Sequence, residues 1–339
     1  MSNPRPPLTP LLASCRILSF FVLVGLLALA LDAGIDAGLR RIRTSEFGVW
    51  NHIVNGAINA DVLITGSSRA LTHYDARILQ ERLGRTAYNI GLNGSQTDMQ
   101  VARLRTYLEH NRKPELLIHN LDLFSFQTTH GGVYDPGQYL PYIGEPALYE
   151  ALSRINGNTW KSRHLPLYGY AVEDLRFTWI QGVRRWFGWN PAEDHFQGFK
   201  PRHLPWTGEF ERFKAQNPQG ARFEVEPEGV REMEALLELC RERRISVLLV
   251  YSPEYRDMQA MTRNRAEIFA RFGQLGERFA APLWDFSDSP LSPQQDKFYN
   301  SQHLNAEGAA LFSVALAERL ARDQTLASRP AGDRRADRH

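Results

Sequence analysis

Residues 61–70 read DVLITGSSRA: four consecutive apolar or β-branched residues, Val62 to Thr65, followed by Gly66-Ser67-Ser68-Arg69. A short apolar run without polar alternation fits a strand buried on both faces, as in a parallel sheet. Gly66 then lets the chain turn sharply and leaves a serine exposed ahead of the next helix. Working outward, runs of the same kind at 86–90, 115–121, 245–251 and 282–285 join 61–65 to make five predicted strands. Amphipathic patterns predict helices over 75–83, 97–111, 228–243, 263–279 and 306–322. Strand and helix alternate, so the fold class is α/β: a three-layer α/β/α arrangement around a five-stranded parallel sheet.

The alternation breaks between about 130 and 223, where Gly, Pro and aromatic residues crowd together. Five of the seven Trp fall here: Trp160, Trp179, Trp186, Trp189 and Trp206. The segment is too apolar for a disordered linker, which predicts an aromatic-rich cap inserted after the third strand. Its Trp residues either form the cap's own small core, or stack on sugar rings, or sit at a membrane surface. The polar tail, 324–339, reads as disordered.

Residues 17–31, ILSFFVLVGLLALAL, carry no charge. As a helix they span about 22 Å, short of a hydrocarbon core of about 30 Å, with residues 11–14 and a snorkelling Arg16 available to extend the span. An uncleaved membrane anchor within residues 1–44 is one reading. A signal peptide cut near Ala28-Leu29-Ala30 is a second, and a buried helix a third. Arg5 and Arg16 precede the run and Arg40, Arg41 and Arg43 follow it, so charge does not set the orientation.

The chain has 339 residues, 43% of them hydrophobic and 23% charged, which is ordinary globular composition. Forty Lys and Arg against thirty-eight Asp and Glu argue against a nucleic-acid partner. Cys15 and Cys240 sit in unlike settings and make no disulfide framework. No G-x-G-x-x-G and no Walker lysine occur, so no nucleotide cofactor is expected. His119 with Asp122, and His195 with His203, complete no ligand set, so no metal is expected either.

In an open parallel sheet, ligands bind beyond the carboxyl ends of the strands. After the first strand stands Ser68, either a nucleophile or a helix cap. After the second comes NIGLNGSQT, 89–97, whose backbone N–H groups near Gly94 can face an oxyanion or simply form turns. Before the last helix comes FYNSQHLN, 298–305, with His303 the one histidine of ten at such a position.

Together "GSSRA", "YNIGLNGSQ" and "FYNSQHLNAEGA" resemble the blocks of the SGNH (GDSL-like) hydrolase superfamily over roughly 61–125 and 228–320. The likeness is strongest to its membrane-anchored branch, which works beside membrane-bound O-acyltransferases in alginate or cellulose acetylation and teichoic-acid D-alanylation. The resemblance implies flavodoxin-like strand order in a domain over 45–323. It implies Ser68 as nucleophile and first oxyanion donor, Gly94 as oxyanion glycine and His303 as general base. It also implies a single-pass protein of the inner (cytoplasmic) membrane with its domain in the periplasm.

Two positions depart from that pattern. The third block is not recognisable in His119-Asn120-Leu121-Asp122, which leaves Asn120 as a candidate side-chain oxyanion donor and Asp122 to orient a partner or cap the following turn, the cap being preferred. The Asp expected three residues before His303 is Asn300. Its amide oxygen can accept from the imidazole but supplies no negative charge. Asp285, Asp288 and Asp296 are alternative carboxylates. Arg69 and Asn93 are candidate substrate-binding residues, and Arg69 reads equally as half of a buried ion pair.

The enzyme implied is a serine esterase or O-acetyltransferase taking an acyl donor and a polysaccharide. The alternative is an accessory protein that binds glycan or docks on a membrane-bound O-acyltransferase. Asn300 speaks for the second, and the joint presence of Ser68 and His303 for the first.

Overall fold

The computed structural model describes residues 10–172, 176–323 and 326. The start of the chain with Arg5, and the tail expected to be disordered apart from Leu326, lie outside the described residues.

The chain begins with α1 (Pro10–Leu39) and α2 (Ser45–Val54). The first half of the α/β domain follows as β1 (Val62–Thr65), α3 (Ser68–His73), α4 (Ala76–Leu83), β2 (Ala87–Asn89), α5 (Thr97–His110) and β3 (Leu116–Asn120). The insertion holds α6 (Pro146–Ile155), α7 (Thr159–His164), α8 (Tyr168–Ala171), α9 (Arg176–Trp186) and α10 (Glu209–Gln216). The second half is α11 (Pro227–Glu242), β4 (Ser246–Tyr251), α12 (Arg256–Ala260), α13 (Arg265–Arg278) and β5 (Leu283–Asp285). A small ribbon, β6 (Phe298–Asn300) and β7 (His303–Leu304), leads into α14 (Ala306–Arg322).

The five expected strands form one parallel sheet in the order β2-β1-β3-β4-β5. This is the flavodoxin-like order, and its switch point lies between β1 and β3, where successive crossovers leave in opposite directions. Both faces are covered, which explains the unbroken apolar runs. Leu63, Leu117 and Leu249 face the core shared with α5, α11 and α13. Val62, Ile64, Leu116, Ile118, Leu248 and Val250 face the core shared with α4 and α14. Truncating one of these fully buried leucines to alanine costs about 2–5 kcal/mol.

The N-terminal helix is longer than the fifteen-residue run, starting at Pro10 and so including residues 11–14 as expected, and it also extends at the other end. Helix continues to Leu39, and residues 14–39 are long and apolar enough to cross a membrane. Residues 14–24 are exposed, exposure predominates through Leu31, and Ile35 and Leu39 are buried. Asp32 accepts the Leu167 N–H at 2.8 Å, and Asp36 bonds Tyr170, so the last turns of α1 belong to the folded domain. Gly38 and Gly182 permit the crossing of α1 and α9, since a Cβ on Gly38 would meet the carbonyl of Gly182.

The insertion is not one lid. Its helix α6 packs on α5, α9 packs on α1, and residues 196–207 run as a strap along the domain. In that strap the Gln197 carbonyl accepts from Asn89 at the edge of β2, Lys200 N–H donates to Leu71, and Thr207 N–H donates to Tyr299. Nor do the Trp residues form a private core. Trp160, Trp179 and Trp186 are exposed, and Trp206 packs against Phe210 and Tyr255. The physical reason is that α1 already offers an apolar flank on which the insertion can pack.

Candidate active site

The site lies beyond β1 and β3, at the switch point. Gly66 has φ +140°, and a Cβ there would stand 3.0 Å or less from Ala70 and Asn120, so this sharp turn needs glycine. Ser67 then caps α3, its Oγ accepting from Arg69 N–H at 3.3 Å and donating to Asp122 Oδ2 at 2.7 Å. That leaves Ser68 as the half-buried serine at the head of α3.

His303 approaches from the ribbon. The antiparallel pair β6–β7 places Asn300 opposite His303 across the two-residue turn Ser301-Gln302, which is why the spacing of three brings their side chains together. Asn300 Oδ1 accepts from the backbone N–H of Gln302 at 3.1 Å, the backbone N–H of His303 at 3.0 Å and the imidazole Nδ1 at 2.9 Å. Two backbone donors require oxygen at that end of the amide. An oxygen can only accept, so the imidazole proton sits on Nδ1. Nε2 therefore carries a lone pair, and it stands 2.8 Å from Ser68 Oγ. Ser68 donates and His303 accepts, the arrangement a general base requires.

The other end of Asn300 is also held: Nδ2 donates to Glu209 Oε2 at 3.2 Å. Asp285 instead accepts from Ser287, and Asp296 pairs with Lys297. Among the described residues neither these two nor Asp288 bonds the imidazole. The ring of Tyr299 stacks on His303 at 5.3 Å, and the Arg202 guanidinium lies over Tyr299 at 5.4 Å. Burial, with Arg69 and then Arg202 adding positive charge, pushes the His303 pKa down to about 3. Burial likewise pushes the Tyr299 phenol up to about 12.

A second histidine fixes the first. His73, fully buried at the end of α3, accepts the Leu304 N–H on Nε2 at 3.0 Å, so it is neutral and donates from Nδ1 to Ser252 Oγ at 2.9 Å. Burial holds its pKa well below the ordinary value, with Arg69 and His303 adding to the effect. Its ring meets that of His303 edge-on at 6.0 Å.

The loop after β2 is fastened to the elbow by Leu92 N–H to Gly66 O at 2.9 Å. Gly94 has φ +62° and lies exposed, with Tyr134 filling the space a Cβ would take. Asn93 is half-buried, and its side chain has no hydrogen-bond partner among the described residues.

Three expectations are corrected. Asn120 is fully buried and committed: its Oδ1 accepts from Tyr74 at 2.7 Å, and its Nδ2 donates to Leu121 O and Asp122 Oδ1 at 3.1 and 3.3 Å. It braces the wall behind Ser67 and has no donor left for an oxyanion. Arg69 is no substrate-binding residue: 3% exposed, it pairs with Asp122 at 3.5 Å, bonds the carbonyls of Ser252 and Pro253, and lies over Tyr251 at 4.4 Å. The carboxylate of Asp122 does not cap the next turn. It ties Ser67 to Arg69 instead.

Glu209, His73, Arg202 and Tyr299 were not among the expected site residues. Tyr299 lies within the quoted ribbon stretch, whereas Glu209 and Arg202 come from the stretch without periodicity. One group of described side chains is close enough to share a metal ion, Glu109, His110 and Glu145. It lies at the C-terminal end of α5, the opposite end from the Gly94 loop.

No family model matches the sequence, and no curated protein matches it. Solved structures similar to this chain include a carbohydrate acetylesterase from Sinorhizobium meliloti, 13% identical, with a TM-score of 0.34 over 77% of this chain and 97% of that one. Others are a GDSL-like lipase from Bacteroides thetaiotaomicron (9%, TM-score 0.32, 76% of this chain and 87% of that one) and a protein described as lipolytic, of the G-D-S-L family, from Desulfitobacterium hafniense (11%, TM-score 0.37, 76% and 97%). The last two of these carry the G-D-S-L name in their descriptions. At such identities and scores the chemistry is read from the site itself.

Proposed function

We propose that the chain is a membrane-anchored serine acyl-ester hydrolase or O-acyltransferase, extracytoplasmic, acting on a cell-surface or secreted polysaccharide. The observation that carries this reading is the 2.8 Å contact of Ser68 Oγ with the unprotonated Nε2 of His303. In the reaction Ser68 Oγ attacks the acyl carbonyl while its proton passes to Nε2. The carbonyl oxygen takes up the displaced electron pair beside the N–H of Ser68, an orphan donor of the first helical turn, with the Gly94 loop as second donor. As the oxyanion collapses, the alkoxide leaves and takes the proton back from Nε2, giving an acyl-serine. Water or a sugar hydroxyl then loses its proton to Nε2, attacks the acyl group, and releases Ser68 with that proton returned.

The depressed pKa makes His303 a weak base but its protonated form a strong acid, and Asn300 offers that form no full charge. This favours slow acylation followed by ready protonation of the leaving group. The same observation favours a second reading, an accessory protein that binds glycan or docks on a membrane-bound O-acyltransferase. The outward location, the acceptor and such a partner are supported by the motif resemblance and the N-terminal apolar helix.

The experiment treats the full-length protein in detergent with a fluorophosphonate probe and an acetyl ester, beside Ser68→Ala and His303→Ala. Labelling and turnover lost in both variants support catalysis. An unlabelled Ser68 in a folded protein supports the accessory role.

A further inference from the structure

Two cavities adjoin where α1 enters the domain. One, of about 500 Å³, is apolar and lies between α1, α8 and α9, with Leu31, Ile35, Leu167, Trp179, Val183 and Trp186 in its wall. The other, of about 470 Å³, is lined by Arg40, Arg41, Arg43 and Arg185. The Arg41 guanidinium lies over the Trp186 ring at 3.9 Å, so these two side chains join the apolar cavity to the cationic one.

Among the described residues no carboxylate forms an ion pair with any of the four arginines, and only Asp36, which bonds Tyr170, is near enough to act on Arg40 through its charge. Arg40 bonds the carbonyl of Pro141, and Arg185 Nε donates to the carbonyl of Arg41 at 3.0 Å. Four like charges around one cavity repel each other, and an anion between them relieves that repulsion. Arginine forks also suit phosphate geometry.

The level of the two cavities along α1 narrows the choice of anion. They begin where the exposed apolar surface of α1 ends, the level of lipid headgroups for a helix that spans a bilayer. Phe177, Val183, Trp186 and Phe187 are exposed on or just after α9 and continue that apolar surface sideways. Apolar and aromatic residues on one helix with basic residues beside them mark an element lying in the interface.

We propose that the junction of α1 and α9 binds an anionic phospholipid of the surrounding bilayer, an acyl chain in the apolar cavity and the phosphate among Arg40, Arg41, Arg43 and Arg185. This rests on α1 being a membrane anchor and not on the chemistry of Ser68. The bound lipid screens the arginines, fastens α9 to α1, and so holds the domain against the membrane surface.

The test reconstitutes the full-length protein into nanodiscs containing equal phosphatidylcholine and phosphatidylglycerol, then counts retained lipids by native mass spectrometry after mild detergent release. Phosphatidylglycerol is expected to be retained over phosphatidylcholine. The double variant Arg41→Gln/Arg185→Gln is expected to lose that retention by about thirtyfold, the product of two arginine contributions near an anionic surface. Val183→Trp, which fills the apolar cavity and leaves every arginine in place, is expected to lose it as well, with circular dichroism reporting the fold of both variants. Equal retention of the two lipids, retention unchanged in folded variants, or displacement by inorganic phosphate alone would overturn the proposal. A chain that does not enter the disc overturns the anchor and the lipid site together, whereas entry without lipid preference overturns the site only.

Discussion

Glu209 Oε2 stands 3.2 Å from Asn300 Nδ2, at the other end of the amide whose oxygen holds His303. The line from Ser68 through His303 and Asn300 to Glu209 therefore ends on a carboxylate, but with a neutral amide between acid and imidazole. The amide transmits orientation and a polarised dipole in place of a charge. Glu209 lies on α10 of the insertion, so the strap and its helix complete the relay that the α/β core begins.

This geometry makes Asn300→Asp an informative change only in combination. A carboxylate introduced at position 300 would sit beside that of Glu209, and like charges so close share a proton. Glu209→Gln removes the conflict. The double variant Asn300→Asp/Glu209→Gln should raise kcat/KM for an acetyl ester by about tenfold or more, well within the 10⁴ that the reverse change costs in a serine protease. Asn300→Asp alone should gain less, and Glu209→Gln alone should lose about threefold through weaker polarisation of the amide. Steady-state kinetics on the four proteins decides it, and equal rates throughout would remove the relay from the chemistry.

The pH profile offers a separate check. With the His303 pKa pushed down to about 3, Nε2 stays unprotonated through the mildly acidic range, so acylation of Ser68 should not decline near pH 6.5 as it does for an ordinary imidazole base. Removing charge with Arg202→Met should shift the acid limb upward, and the Asn300→Asp/Glu209→Gln protein should shift it further. Fluorophosphonate labelling rates from pH 8 to about 5 check that the unaltered protein does not decline, and rates carried on to about pH 3 locate the acid limb and its shifts. An acid limb near 6.5 in the unaltered protein would show His303 to be far better solvated than its surroundings indicate.

Much of this arrangement was legible in the sequence, for identifiable reasons. Strands β1, β3 and β4 are buried on both faces over nearly all their length and leave apolar runs in the sequence, and the shorter edge strands β2 and β5 also fall within a residue of their expected bounds. The Asn300–His303 pair was expected from the motif resemblance alone, and the two-residue ribbon turn that makes a spacing of three a facing pair became visible only in the structure. Glu209 was not, because it meets Asn300 across 91 positions from a segment without periodicity. The choice between substrate contact and ion pair at Arg69 depends on where β3 ends beside β1, which residue identity does not reveal. Asn120 looked like a free donor until Tyr74 claimed its oxygen and turned the amide inward.

Stability should fall on mild acidification. His73 and His119 are fully buried with pKa values held down by burial, His119 at about 4. Each takes up its proton only on unfolding, so stability is lost as pH falls below about 6.5, at about 1.4 kcal/mol per pH unit for each group. His195 works the other way: hydrogen bonds and charge from Asp194 and Glu46 outweigh its burial and raise its pKa, so its contribution is present at low pH and fades as pH rises. His52 and His303, whose pKa values burial also lowers, act in the same direction, and His195 is protonated in both states below about pH 6.5, so the net is a loss between pH 6.5 and 5, which urea unfolding at several pH values measures. Neither ring nitrogen of His119 has a partner. His119→Leu should therefore raise stability by about 1–3 kcal/mol and flatten the dependence, with Ser68 labelling unchanged.

Arg69 and Asp122 give the last prediction, because they distinguish a brace from a binding group. Both are almost completely buried, and the pair ties the Ser67 cap to the backbone after β4 through the Ser252 and Pro253 carbonyls. Arg69→Met leaves the Asp122 carboxylate buried without a counter-charge, which costs about 3–5 kcal/mol. Asp122→Leu strands the guanidinium in the same way. Joining the two should recover a large part of either loss, since a buried pair replaced by apolar side chains is often close to neutral. Labelling of Ser68 should nonetheless stay low in the stable double variant, because Ser67 has lost the acceptor of its Oγ–H and with it the anchoring of the elbow. A double variant as unstable as the sum of the single ones would show that the carbonyl bonds of Arg69 outweigh its ion pair. Full activity in that variant would show that the elbow holds its shape on Gly66 and the Leu92–Gly66 hydrogen bond alone.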